Sequence, residues 1–170
     1  MHDELLLTKA HKRYADEIAS YRQVFLESGD HMDGCGSLRK YENVHEYIEN
    51  CRQREQETAS AETGGHAQQF LCIRKADGHL VGMIQYRYDA DPRFQTGYSV
   101  RPCERGKGYA GWMLRQLLLW LRRQGKTELT VSCEPSNPAS EHVIISCGGR
   151  PSGTCTYRGI ELHVWKIPLQ

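Results

Sequence analysis

A loop rich in glycine and basic residues spans positions 101–108, after a short strand and before a long apolar helix. Gly106 and Gly108 let the backbone approach an anion in conformations that a side chain would forbid, and Arg105 and Lys107 add positive charge. The helix start presents backbone N–H groups without helical partners and the positive end of the helix dipole. The pattern therefore predicts a phosphate-binding loop.

A dinucleotide-binding loop is the first alternative, because residues 106–111 formally match Gly-x-Gly-x-x-Gly. That fingerprint alone is a weak signal. In a Rossmann unit the first glycine closes the turn directly after the strand, whereas residues 101–105 intervene here. The loop also lacks the Gly-Lys-Ser/Thr sequence of nucleoside-triphosphate sites. A nicotinamide-dependent oxidoreductase is therefore disfavoured.

The same loop resembles the acetyl-CoA signature of the GNAT family of N-acetyltransferases, Gln/Arg-x-x-Gly-x-Gly/Ala, read here from Arg105 to Ala110. Residues 97–102 resemble the family's fourth strand, and residues 137–140 resemble its Asn-x-x-Ser motif near the C-terminus. The resemblance covers nearly the full chain and is nearest a poorly characterised bacterial branch close to the ribosomal-protein N-acetyltransferases. It implies one GNAT domain over residues 1–170 with an α+β, three-layer fold.

The resemblance also implies the reaction. Acetyl-CoA would be the cofactor, and its acetyl group would pass to a primary amine of a small molecule or peptide by direct attack in a ternary complex. In the family, the strand holding Tyr98 splays from the next strand, and the cofactor's pantetheine arm lies in the gap. The residues expected to bind the cofactor are Ser99, Val100, Arg105, Gly106, Lys107, Gly108, Tyr109, Ala110, Asn137 and Ser140.

The sequence departs from the family where protons are handled. Ile144 stands where many members keep a tyrosine acid, and Gln95 stands where relatives often place a glutamate. Glu134 is a candidate base if partial burial raises its pKa, and Tyr98 is a candidate through its hydroxyl. Glu134 could instead cap the next helix or face solvent, and Tyr98 could be a packed ring. His142 is a further candidate for proton transfer or a surface imidazole.

Three acids, Glu27, Asp30 and Asp33, lie at the loop between the first two helices, which borders the acceptor side in this fold. Acids there would attract a cationic amine, although helix-end and turn chemistry explains them equally well. The histidines show no spacing such as His-Glu-x-x-His, so no metal is implied. A non-catalytic acyl-CoA-binding or regulatory module is the main alternative function, because Gln95 and Ile144 replace groups that handle protons.

The chain as a whole has 170 residues, which suits one well-buried core, and its net charge of +1 does not indicate nucleic acid or an anionic membrane as partner. The N-terminal apolar run is too short for a signal peptide, and Leu117–Leu121 cannot span a bilayer. Seven scattered cysteines without Cys-x-x-Cys indicate reduced thiols. We expect a cytoplasmic protein, with a homodimer through the C-terminal hairpin left open.

Periodicity and turn signals predict the elements that position these residues, in the order β, α, α, three β, α, β, α, two β. Asp77-Gly78 marks a hairpin turn, because that pair accepts positive φ. The predicted fold is a mixed, mostly antiparallel twisted sheet with about four helices. Its segments are strands at 5–8, 70–73, 80–84, 95–100, 129–133, 153–158 and 160–167 and helices at 11–27, 43–58, 108–121 and 138–147.

Overall fold

The computed structural model describes residues 2–169 and contains two antiparallel sheets. Its strands are β1 (Leu5–Lys9), β2 (Ala67–Arg74), β3 (His79–Arg87), β4 (Thr96–Val100), β5 (Glu128–Cys133), β6 (Arg150–Tyr157) and β7 (Ile160–Pro168). The first sheet has the order β1-β2-β3-β4, and the second has the order β5-β7-β6. The predicted order of strands along the chain is confirmed.

The main helices are α1 (Ala15–Ser28), α2 (Val44–Arg54), α3 (Tyr109–Arg123) and α4 (Pro138–Ser146). Helix α1 starts later than predicted, because a one-turn 3-10 helix occupies Lys12–Tyr14. Helix α2 ends at Arg54 rather than near residue 58. No apolar side chain follows Cys51 in that segment, so a further turn would have nothing to bury.

Helices cover both faces of the first sheet, as the three-layer prediction requires. On one face, α3 buries Met113, Leu114, Leu117 and Leu121 in the larger core. On the other face, a second core forms where α1 and α2 pack on β2 and β3. The 3.6-residue spacing of the apolar positions in α3 produces this buried stripe.

Strands β4 and β5 belong to different sheets, so the predicted splay between them is confirmed. Beside the gap, the 3-10 turn Pro92–Phe94 that precedes β4 contacts the second sheet. Ser132 Oγ donates to the carbonyl of Arg93 at 2.7 Å, and the rings of Phe94 and Tyr157 lie 4.7 Å apart. These contacts hold the two sheets at a fixed position relative to each other beside the gap. Among residues 2–169, no helix has the length and apolar character needed to cross a membrane.

Candidate active site and cofactor loop

The glycine loop ends in an open helix terminus. Gly108 is the N-cap residue of α3 with φ 84°, and no side chain caps the helix there. Gly106 has φ 80°, and a Cβ atom built on either glycine would meet nothing within 4 Å. The first turn of α3 contains no acidic residue. Free backbone N–H groups, positive dipole and open space together fit a phosphate group.

The two basic side chains of the loop are held by carboxylates. Arg105 donates from Nε to the carbonyl of Val100 at 3.2 Å, and its Nη1 lies 3.1 Å from Asp30 Oδ2. Lys107 Nζ lies 2.6 Å from Glu104 Oε2. The Arg105 side chain is 50% exposed, so a bound anion could compete for its charge.

Two predicted cofactor residues turn their side chains away from the loop mouth. Tyr109 is buried, and its hydroxyl donates to Asp3 Oδ2 at 2.5 Å and accepts from Arg74 Nη1 at 3.1 Å. Ser99 is buried on the α1 side, where its Oγ lies 2.9 Å from the hydroxyl of Tyr21. Either residue could contact a cofactor only through its backbone.

The Asn-x-x-Ser motif joins α4 to β4. Asn137 caps α4 by accepting a hydrogen bond from the Ser140 backbone N–H at 3.1 Å. Ser140 Oγ lies 2.8 Å from the hydroxyl of Tyr98. Burial raises the pKa of Tyr98 to about 12, so its hydroxyl stays protonated at neutral pH and is available as a hydrogen-bond donor. Val100 and Ala110 pack against the larger core.

Glu134 follows β5 directly and is exposed, so it faces solvent, which is one of the two alternatives that the sequence left open for it. The chain turns outward there, because the Glu134 carbonyl accepts from the Asn137 N–H at 3.0 Å to start α4. Glu134 does not cap that helix, since Asn137 does. The charge of Glu134 nevertheless acts on Asp33, across the gap.

Asp33 lies against β4 because the next residue, Gly34, packs directly on that strand. Gly34 has φ 70°, and a Cβ atom there would overlap the carbonyl of Gly97 and lie 2.6 Å from the Cα of Tyr98. Gln69 Nε2 donates to the Gly34 carbonyl at 2.7 Å. Asp33 is exposed to solvent, yet desolvation raises the pKa of its carboxyl, and the negative charge of Glu134 raises it further. His31 and Arg87 oppose that shift.

The other two predicted acceptor acids do not join Asp33. Glu27 is exposed on α1 and accepts from Gln23 Nε2 at 2.9 Å. Asp30 pairs with Arg105 of the glycine loop. The three acids therefore have three different surroundings, and Asp33 lies close enough to Glu134 for that charge to raise its pKa.

The positions that depart from the family hold no proton-transfer group in the structure. Ile144 is fully buried in the larger core. Gln95 donates from Nε2 to the carbonyl of Tyr88 at 3.3 Å. His142 is exposed. Burial raises the pKa of the Cys133 and Cys147 thiols, which disfavours a thiolate nucleophile.

Sequence reasoning missed the groups beneath the glycine loop, Arg74 and Glu104. Glu104 lies in the loop segment itself, and a buried acid among basic residues could have been suspected there. Arg74 is remote in sequence, so only the fold brings it near the loop. Within residues 2–169, no group of three or more His, Cys, Asp or Glu side chains is arranged to hold a metal ion.

Comparison with known proteins places this geometry in a family. Residues 5–150 match the family model of the GNAT acetyltransferase domain. No curated protein matches the sequence significantly.

Solved structures share the fold at low identity. A ribosomal L7/L12 alpha-N-protein acetyltransferase, RimL, in complex with coenzyme A is 14% identical with a TM-score of 0.73, covering 97% of this chain and 94% of that one. RimJ from Mycobacterium smegmatis in complex with CoA-disulfide is 18% identical with a TM-score of 0.70, covering 96% and 81%. Spermidine N-acetyltransferase from Vibrio cholerae in complex with CoA and spermine is 15% identical with a TM-score of 0.65, covering 97% and 95%.

The family match spans most of the chain and includes the open helix terminus, the splayed strands and the Asn-x-x-Ser cap described above. The chain belongs to the GNAT family and is an acetyl-CoA-dependent N-acetyltransferase.

Proposed function

We propose that the protein acetylates a primary amine of a small molecule or peptide, which enters beside β4 between Asp33 and the end of β5. The observation that carries this proposal is the carboxylate of Asp33 on the edge of β4, with its pKa raised by desolvation and by Glu134. A carboxylate of raised pKa accepts a proton more readily than an ordinary one. Two acids facing one gap would also attract a cationic amine.

Gly106, Gly108 and the first backbone N–H groups of α3 would hold the cofactor diphosphate, with Arg105 adding charge. When bound, acetyl-CoA supplies an activated acetyl thioester. The support is the uncapped terminus of α3 with open space at both glycines. The neighbouring RimL, RimJ and spermidine acetyltransferase structures each contain a form of coenzyme A, which agrees with this assignment.

Different residues beside the gap serve the two proton transfers of the reaction, from the attacking amine and to the leaving thiol. Asp33 takes the proton that an ammonium must lose before it attacks, and Glu134 raises the basicity of Asp33. Tyr98 stays protonated, so its hydroxyl can donate a hydrogen bond to the leaving thiolate, and Ser140 orients that hydroxyl at 2.8 Å. Placing both reactants in one gap supplies much of the rate without a covalent enzyme intermediate.

The experiment is a panel of polyamines, amino acids and short peptides assayed with acetyl-CoA by thiol release. For the best acceptor, Asp33→Asn should lower kcat/KM about 100-fold, because an amide cannot accept the proton. The wild-type rate should rise with pH as Asp33 ionises, and that limb should vanish in the variant. The coenzyme A affinity of the variant should stay within about twofold of wild type, because Asp33 lies outside the glycine loop.

Glu27→Gln is the matched control, since Glu27 is an exposed acid of α1 away from the gap. Its kcat/KM should stay within about twofold of wild type. An Asp33→Asn enzyme with unchanged kcat/KM and pH profile would contradict the role of Asp33. Coenzyme A binding without acetylation of any amine would instead favour a non-catalytic acyl-CoA-binding module.

A further inference from the structure

Arg74, the last residue of β2, contacts both ends of the glycine loop. Its Nη1 and Nη2 form a fork on the Glu104 carboxylate at 2.8 and 3.2 Å. The same Nη1 donates to the hydroxyl of Tyr109 at 3.1 Å. Glu104 immediately precedes residues 105–108, the glycine segment of the loop, and Tyr109 immediately follows them. One side chain of the central sheet thus ties down the entry and the exit of residues 105–108.

Glu104 adds a third contact from inside the loop. Its Oε2 accepts from Lys107 Nζ at 2.6 Å, and its side chain is only 9% exposed. The hydrogen bonds from Arg74 and Lys107 lower the pKa of Glu104 to about 2, so the carboxylate is charged at neutral pH. A buried carboxylate with two cationic donors forms strong, directional hydrogen bonds.

We infer that Arg74 and Glu104 are positioning residues that set the shape of the diphosphate loop before the cofactor binds; this role rests on the proposed cofactor site. The entry, the middle and the exit of the loop are joined by one hydrogen-bonded cluster around Arg74. In it Glu104 and Tyr109 are buried, while the Lys107 side chain is 47% exposed. A loop that is already ordered loses less conformational entropy on binding, so its affinity is higher.

Because Glu104 is charged, the two explanations predict opposite changes in coenzyme A affinity when it is replaced by glutamine. Glu104→Gln removes a negative charge from beneath an anion-binding loop, so long-range electrostatics alone predicts tighter binding of coenzyme A. Loss of positioning predicts weaker binding. We expect the Kd of coenzyme A, measured by titration calorimetry, to rise about tenfold, which is the usual size for losing a charge-assisted hydrogen bond. The same factor should appear in the KM for acetyl-CoA rather than in kcat.

Asp77→Asn is the matched control. Asp77 also binds Arg74, with Nη2 to Oδ2 at 2.7 Å, but its side chain is 49% exposed and it has no bond to the loop. Its removal takes away the same charge near the same arginine, and the Kd should stay within about twofold of wild type. Tyr109→Phe removes the hydroxyl that links α3 to Arg74 and to Asp3, and it should raise the Kd about threefold.

Thermal unfolding without ligand shows whether each variant keeps the fold, and Tyr109→Phe tests the cluster if Glu104→Gln does not fold. Unchanged or tighter binding in a folded Glu104→Gln protein would overturn the positioning role. Equal weakening by Asp77→Asn would also overturn it, because the effect would then not depend on the loop. Failure of the wild-type protein to bind coenzyme A at all would overturn the cofactor site itself, and this role with it.

Discussion

Gly108 combines two properties at one residue, a left-handed backbone and an open position at the start of α3. Its φ of 84° belongs to the region that favours glycine, and nothing lies within 4 Å of the place a Cβ would take. Because this open position lies at a helix N-terminus, it leaves room there for a ligand.

Gly108→Asp should therefore abolish detectable coenzyme A binding in calorimetry, because a carboxylate would fill that space and repel the diphosphate. Gly159→Asp is the matched control, since Gly159 has φ 79° and equally open surroundings in the turn between β6 and β7. Both variants carry the same left-handed strain, of about 1 kcal/mol. Only the loop variant should lose the cofactor, and equal affinities in the two proteins would count against the assigned loop.

At the scale of elements, the sequence predicts what local patterns determine. The apolar stripe of α3 and the Asp77-Gly78 turn place their elements correctly, because periodicity and turn chemistry are local properties. The glycine loop is found for the same reason. The bounds of α2 are wrong, since its end depends on what the helix can bury.

The acids show what such patterns cannot predict. Asp30 and Asp33 are three residues apart, yet one pairs with Arg105 and the other faces Glu134. Which of them lies at the gap depends on how the loop after α1 rests on β4. The contact between Arg74 and the glycine loop could not be predicted from the sequence either, because Glu104 lies 30 residues away and only the fold brings the two together.

The packing of that loop on β4 depends on Gly34, and Gly34→Ala should disrupt it. The methyl group would overlap the Gly97 carbonyl, and φ is 70°, so we expect a loss of about 2–4 kcal/mol in the free energy of unfolding. Gly29→Ala is the control, because Gly29 has φ 72° but open surroundings, and it should cost about 1 kcal/mol. Denaturant unfolding measures both. Equal costs would show that strain alone, and not contact with β4, holds Gly34.

At the scale of the whole molecule, ionisable groups of opposite behaviour lie at the two binding regions. Glu104 beneath the cofactor loop has a lowered pKa and stabilises the fold when charged. Asp33 at the acceptor side has a raised pKa, so its charged form costs stability at neutral pH. Under the proposed roles, the molecule gains stability where Glu104 holds the cofactor loop and gives up stability where Asp33 accepts a proton.

This difference determines how the free energy of unfolding changes as the pH falls. The pKa of Glu104 falls from 4.5 to about 2 on folding, so its contribution is complete above pH 4.5 and is lost as the pH falls toward 2. Urea unfolding at pH 7 and pH 3 should show that the free energy of unfolding of the wild type falls between these two pH values. At pH 7 the free energy of unfolding of Glu104→Gln should be about 2 kcal/mol lower than that of the wild type. Between pH 7 and pH 3 the variant should lose less of it than the wild type does. Asp33→Asn should be at least as stable as wild type at pH 7, because it removes a charge that is costly there. A steeper acid loss in Glu104→Gln than in wild type would contradict the assignment of that carboxylate as the buried anchor of the loop.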